Sequence, residues 1–331
     1  MGNLVHSGLM KPPRAQQTQS KITGLWVPVV TPFSSNGEID LESLDQLCRH
    51  VLAEGATGLV ALGTTGEPAT LDDVEQREVV LRCASICASM GRGLMIGVGT
   101  NSTRSTIGAL DYFTHALRSS SVDLDVVRAA LVVVPYYTRP SLVGVVEHFR
   151  SVALASPFPL VAYNVPYRTG VSLPAETVLE IAGISNIDGL KQAVGALDRD
   201  TLEVLRSCGP DFSVLAGDDA FIAPTIAMGG SGTIAAAAHV CTRMFATMVS
   251  DAQDGRLSSA VETASALLPV VTAGFAEPNP AVWKAALFAQ SIIASPAVRS
   301  PLQPASSEAG QCILAALATA ESRFVAASEA A

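Results

Sequence analysis

Lysine is scarce in this chain: its 331 residues hold only Lys11, Lys21, Lys191 and Lys284. Lys191 alone falls inside a series of strand-like runs, and it closes one of them. A lysine held among Leu190, Val194 and apolar strand neighbours loses hydration of its ammonium form, which populates the free amine, a nucleophile toward ketones. The plain alternative is an interior lysine paired with Asp218 or Asp219. Tyrosine is equally uneven, since four of the five, Tyr136, Tyr137, Tyr163 and Tyr167, lie between residues 136 and 167. A phenol passes protons to and from a carbinolamine, as imine chemistry requires. Tyr137 and Tyr163 are the candidates for that work, whereas Tyr136 and Tyr167 read as half-buried packing residues.

Other polar groups sit where runs end. Gly63-Thr64-Thr65-Gly66 offers two hydroxyls and close backbone amides, a cradle for a carboxylate as well as a plain turn before a helix. Arg168 presents a planar fork to a substrate carboxylate, and Arg139 is a second candidate or a solvated residue before Pro140. Gly229-Gly230-Ser231-Gly232 resembles a phosphate loop in composition, but it precedes a strand and reads as a tight turn.

These groups need a frame that gathers run ends at one place. Apolar runs begin near Leu25, Thr57, Gly93, Ala129, Pro159, Ile187, Phe212 and Gly232. They are nearly continuous rather than alternating, as strands buried on both faces should be. Helical patterns lie between them. Asp40 can cap one carrying Leu41, Leu44, Cys48, Val51 and Leu52, with Gly55 at its end, and Thr70 with Asp73 resembles a capping box for the next. Eight strand-helix units predict an α/β fold of the (β/α)8 TIM-barrel type over residues 22–240, with reacting groups at the carboxyl ends of its strands. Beyond residue 240 the pattern is helical, including Leu257–Thr272 and Ser306–Ala327. This predicts an extension broken at Glu277-Pro278-Asn279-Pro280, while residues 1–21 read as a flexible arm.

Composition fits a small-molecule enzyme. Hydrophobic residues make up 49% and charged ones 15%, enough apolar side chain for a large core. The formal charge of −9 opposes binding to nucleic acid or anionic membrane. The six cysteines form no CxxC pair, and Cys83 and Cys87 share one helix face, which suits packing. With neither a signal-peptide core nor a run of 18 apolar residues, the expected location is the cytoplasm.

The motifs GTTGE, PYYTRP, YNVPYRTG, GLK, GDDA and EPNP, in this order, resemble the dihydrodipicolinate synthase and N-acetylneuraminate lyase family of class I aldolases over roughly Gly24 to Pro280. The resemblance implies that Lys191 is the Schiff-base lysine and Tyr163 the acid/base residue. It also implies that Thr65 and Tyr137 complete a proton relay, that Thr64 and Thr65 hold a pyruvate carboxylate, and that Ile234 lines the site. The family's equivalent of Tyr137 reaches a neighbouring subunit, which implies a homodimer or homotetramer. No metal or organic cofactor is implied. Arg168-Thr169-Gly170 looks like the synthase branch, in which pyruvate condenses with L-aspartate 4-semialdehyde to give 4-hydroxy-tetrahydrodipicolinate on the route to lysine.

Two other readings stand beside this one: a pyruvate-dependent aldolase, lyase or dehydratase acting on a sugar acid or aromatic aldehyde, and a barrel that only binds ligand. Gln192, Val194 and Ala196 depart from the family pattern and predict less charged surroundings for Lys191. Pro68 stands where serine or alanine is common, and Asp73 and Gln76 stand where lysine-inhibited members carry histidines. Weak inhibition by lysine, or none, is therefore expected. A micromolar inhibition constant from initial rates would contradict it.

Overall fold

A computed structural model of the chain describes residues 21–330; the expected arm over residues 1–21 lies, but for Lys21, outside the described residues. Eight strands, β1 (Gly24–Pro28), β2 (Gly58–Ala61), β3 (Gly93–Gly97), β4 (Val127–Val133), β5 (Leu160–Asn164), β6 (Ile187–Gln192), β7 (Ser213–Ala216) and β8 (Gly232–Ile234), form a closed barrel in chain order. Every pairing is parallel, β8 returning to β1 included. All eight fall where the apolar runs placed them.

The continuous apolar character of the strands follows from two cores. Trp26, Val60, Met95, Leu131, Val161, Leu215 and Ile234 fill the barrel interior. Their neighbours in sequence, such as Val27, Leu59, Val132 and Val214, point outward beneath the helices. Alternation exists, but both faces are dry, so apolar residues are selected at both. The ring of Trp26 needs unusual room. A Cβ on Gly58 would lie 2.4 Å from it, so a glycine on the adjacent strand is a packing requirement.

Helices α1 (Leu41–Ala53), α2 (Asp73–Ser89), α3 (Thr103–Arg118) and α4 (Leu142–Ala155) follow the first four strands. After β5 come a single turn, α5 (Pro166–Thr169), and α6 (Ala175–Ala182). Helices α7 (Arg199–Ser207), α8 (Ile222–Ala227) and α9 (Thr242–Gln253) follow β6, β7 and β8. Asp40 caps α1 by accepting from the Ser43 amide at 3.0 Å. The α2 capping box is formed by Asp72 and Glu75 rather than by Thr70 and Asp73. Thr70 is already engaged, its hydroxyl donating to the Glu67 carbonyl at 3.0 Å in the turn that begins at Pro68. Cys48, Cys83 and Cys87 are buried, with the Cys48 and Cys83 sulfurs 3.9 Å apart between α1 and α2.

Because α9 packs on β1 and β8, the barrel's outer layer extends beyond residue 240, to Gln253. The extension proper is α10 (Leu257–Gly274), α11 (Ala281–Ala289) and α12 (Ser307–Ala330). By length and composition α10 could cross a membrane, yet it packs against α8, α9 and α12. The Gly229–Gly232 segment forms a turn into β8, with the Gly230 amide on the Thr225 carbonyl at 2.9 Å and Gly229 at φ +104°.

His239 stitches the seam between first and last strands. Its Nε2 accepts from the Val30 amide at 3.1 Å, and its Nδ1 donates to the Ala236 carbonyl at 2.7 Å. Burial pushes its pKa down to about 4 from an ordinary 6.5. The folded protein therefore binds fewer protons here than the unfolded chain, and stability falls as pH drops from 6.5 toward 4. His239→Asn should flatten the slope of unfolding free energy in that window by up to about one proton, roughly 1.4 kcal/mol per pH unit. Urea melts at a series of pH values measure it, and an unchanged slope would refute the assignment.

Candidate active site

Strand register sets the centre of the site. Tyr163 on β5 is paired with Lys191 on β6, so both side chains rise from the same level of the barrel wall. Nζ of Lys191 stands 4.2 Å from the centre of the Tyr163 ring, and both residues are buried. They face a cavity of about 450 Å³ at the carboxyl ends of the strands, also lined by Thr64, Thr65, Arg168 and Ile234. Of the residues that the family resemblance implied, Tyr137 stays outside this group. Tyr137 is 87% exposed and lines no part of its own cavity. Its backbone is left-handed at φ +68°, a conformation costly for an aromatic residue.

The two aspartates after β7 do not pair with Lys191. Asp218 accepts from the Gly195 amide at 2.7 Å, and Asp219 from the Ala237 amide at 2.6 Å. Each carboxylate thus holds a neighbouring loop, the one after β6 or the one after β8. Burial raises both acids, Asp219 to about 7, against the pull of the backbone amides and of Lys191. Among the described residues Lys191 makes no ion pair, so its nitrogen is left to the cavity.

Lys284 shows what a structurally employed lysine looks like. It is fully buried, with Nζ 2.5 Å from Oε1 of Glu67 and 2.9 Å from the Ala297 carbonyl. Burial outweighs the carboxylate and brings its pKa down to about 8. Glu67 also accepts from the Arg299 amide at 3.0 Å, and the Arg299 guanidinium reaches Glu75 and the Gly37 carbonyl. This network clamps the Thr64–Gly66 turn, in which Glu67 itself is left-handed at φ +54°.

The departures around Lys191 separate by direction. Gln192 faces outward, accepting from Asn164 at 3.0 Å and donating to Thr201 at 2.9 Å, so it does not affect the cavity's charge. Ala196 does not line the cavity; Val194 does. Arg139 is anchored on the Gly170 carbonyl at 3.0 Å and is likewise not a lining residue, which leaves Arg168 as the cavity's guanidinium. Its guanidinium carbon lies 5.5 Å from the centre of the Tyr167 ring.

Sequence reasoning missed the share of the extension. Val271 and Phe275 wall the cavity, and Asn279 lines it while donating to Thr65 Oγ1 at 3.0 Å. The EPNP motif was visible, but a turn between two distant helices carries no local sign that it returns to β2.

Residues 21–320 match the model of the dihydrodipicolinate synthetase family. The 4-hydroxy-tetrahydrodipicolinate synthase of Shewanella piezotolerans is 37% identical, over 90% of this chain and 98% of that protein. Two solved structures superpose with a TM-score of 0.84. One is described as the first monomeric dihydrodipicolinate synthase variant (31% identical, 92% of this chain and 98% of that one). The other is the chloride-inhibited dihydrodipicolinate synthase of Acinetobacter baumannii complexed with pyruvate (29% identical, 91% and 99%). A barrel of this kind with these relatives is an enzyme of the class I aldolase and lyase type. Within that class, the chain belongs to the dihydrodipicolinate synthetase family.

The clamp on the Thr64–Gly66 turn can be tested directly. Lys284→Met leaves the Glu67 carboxylate buried and unpaired, and should cost about 3–5 kcal/mol in urea unfolding. Adding Glu67→Met should return most of it. A single variant as stable as the parent would show that the pair does not hold the turn.

Proposed function

We infer that the protein condenses pyruvate with L-aspartate 4-semialdehyde to give 4-hydroxy-tetrahydrodipicolinate and water. The observation that carries this reading is the cavity-facing Lys191 amine beside Tyr163, with hydroxyls at Thr64 and Thr65 and a guanidinium at Arg168. In this reading Thr64 and Thr65 hold the pyruvate carboxylate, Ile234 walls the site, and Lys191 adds to the ketone carbon. Tyr163 gives its proton to the carbinolamine hydroxyl, which leaves as water while the nitrogen lone pair forms the protonated imine. The phenolate then takes a proton from the methyl group, and the resulting enamine carbon attacks the aldehyde carbon. The C=O π electrons of the aldehyde move to its oxygen as that oxygen takes the proton back from Tyr163 to become the product's hydroxyl. Attack of the substrate's own amine on the imine carbon closes the ring and expels Lys191.

In this reading Arg168, whose side chain lines the cavity, receives the carboxylate of the semialdehyde. On the same reading Tyr137, exposed and outside its own cavity, enters the site of a neighbouring protomer in a homodimer or homotetramer, and the enzyme works in the cytoplasm. A cavity wall of Val194, Phe221, Val271 and Phe275 favours keeping the second reading, a different aldehyde, in the same test.

Borohydride reduction with pyruvate should add a mass at Lys191, and Lys191→Ala should lose both the adduct and at least about 10³-fold of turnover. Arg168→Ala should keep the adduct and lower kcat/KM for the semialdehyde about 10- to 100-fold, the worth of a charge-assisted hydrogen bond. Sedimentation at assay concentration should show at least a dimer. Turnover surviving in Lys191→Ala sinks the mechanism, and consumption of some other aldehyde in preference sinks the synthase assignment.

A further inference from the structure

The loop after β4, residues 135–140, is held in a strained shape. Tyr137 and Arg139 are both left-handed, at φ +68° and +47°, and Thr138 between them donates its amide to the Tyr136 carbonyl at 2.8 Å. Neither residue type favours that region, and a residue before proline prefers an extended backbone, so Arg139 ahead of Pro140 is doubly out of place. Such a conformation persists only where the surroundings impose it. Residues 136–139 are all exposed, so burial imposes little. Among the described residues, one hydrogen bond ties the tip of this loop to another segment: Nε of Arg139 donates to the Gly170 carbonyl at 3.0 Å.

The far end of that bond is a firm post. In α5 the amides of Arg168 and Thr169 donate to the Val165 carbonyl at 2.9 and 3.1 Å, and the Gly170 amide donates to the Pro166 carbonyl at 2.9 Å. The buried Thr169 hydroxyl lies 3.2 Å from both the Val165 and the Val171 carbonyls. The arginine stem lies against this turn: a Cβ on Gly170 would stand 3.3 Å from Nε and 3.4 Å from Cδ, and Gly170 is itself left-handed at φ +68°. The turn that carries Arg168 thus holds without Arg139, whereas the tip that carries Tyr137 has no second hydrogen bond to a distant segment among the described residues.

We propose that Arg139 is a positioning residue for Tyr137: it fastens the loop after β4 to the turn after β5, so that the phenol projects from its own barrel in one fixed direction. This rests on the reading in which Tyr137 enters the site of a neighbouring protomer and completes the proton relay there. Arg139 then serves the neighbour's chemistry through a contact that lies wholly within its own protomer. By residue type it could have held a substrate carboxylate, but its Nε is engaged by a carbonyl and its side chain does not line the cavity. Releasing Arg139 should therefore slow imine formation in the partner and leave the semialdehyde site of its own protomer intact.

The test uses Arg139→Met, which keeps an apolar stem over Gly170 and removes the donor at an exposed position where folding is not at risk. Timed borohydride trapping of pyruvate and kcat should both fall about 10- to 100-fold, at or below the lower end of what a placed proton-transfer group contributes, with KM for the semialdehyde changed less than about three-fold. Arg139→Lys, which can still donate to a carbonyl, should recover part of the loss. In a Tyr137→Phe background Arg139→Met should add nothing further. Mixed assemblies of Arg139→Met and Lys191→Ala chains, purified on two tags, separate the two protomers' roles. Their competent lysines sit in Arg139→Met chains, whose sites can receive Tyr137 from an unaltered loop. Turnover should return to between about a quarter and a half of wild type, the share of complete sites under random and under obligate pairing, while both parental assemblies stay low.

Mixed assemblies no more active than their parents would confine the effect of Arg139 to its own protomer and overturn the proposal. Wild-type trapping in Arg139→Met, or an undiminished further loss in the Tyr137→Phe background, would do the same. A smaller sedimenting species for Arg139→Met than for wild type would assign the side chain to the interface and also sink it. If Tyr137→Phe traps pyruvate at the wild-type rate, or wild type sediments as a monomer, the reading of Tyr137 falls and takes this proposal with it. A slow Tyr137→Phe beside an unimpaired Arg139→Met overturns this proposal alone. If wild type traps pyruvate yet leaves aspartate semialdehyde unconsumed, the synthase reading falls while a restored trapping rate in the mixed assemblies still supports the role of Arg139.

Discussion

The buried ion pair between Glu67 and Lys284 is the contact on which the site's geometry depends. Two charges taken out of water are costly, and the pair is tolerable only because its remaining valences are filled: the Ala297 carbonyl on the lysine, the Arg299 amide on the glutamate. With Glu67 pinned in a left-handed conformation, the Thr64–Gly66 turn has no freedom to drift, and its hydroxyls stay opposite β6. The helical extension is therefore part of the cavity's construction.

The same economy of roles appears after β7, where adjacent aspartates hold separate loops. Asp218 fixes the segment that follows Lys191, and Asp219 fixes the one that follows β8. The two carboxylates offered by the sequence as partners for Lys191 thus have partners of their own, and Lys191 stays without an ion pair among the described residues. Alternation along β6 completes the separation, with Lys191 turned to the cavity and Gln192 tied outward to Asn164 and Thr201.

Much of this was legible in the sequence. Eight apolar runs gave the barrel, because strands wet on neither face leave an unmistakable composition, and the rarity of lysine pointed to Lys191. What stayed hidden was contact between distant segments. Nothing local to Asn279 says that it meets Thr65, and nothing near Lys284 names Glu67. Gln192 was read as a neighbour of the reacting amine because sequence adjacency does not show which side of a strand a residue takes. The α2 cap shifted for a similar reason, since Thr70 had already been recruited by the turn before it.

The seam between β1 and β8 bears on how the molecule comes into being. Its register couples Gly24 to Gly232, and a Cβ on Gly232 would lie 2.2 Å from the Gly24 carbonyl, so the two backbones meet closely where the contact begins. On the ribosome, β1 emerges first and its partner some two hundred residues later. Throughout that interval the edge it will share with β8 is an unpaired row of amides and carbonyls, the kind of template on which nascent chains associate. The enzyme's vulnerability to aggregation is thus concentrated in synthesis, and it ends when the last strand closes the ring.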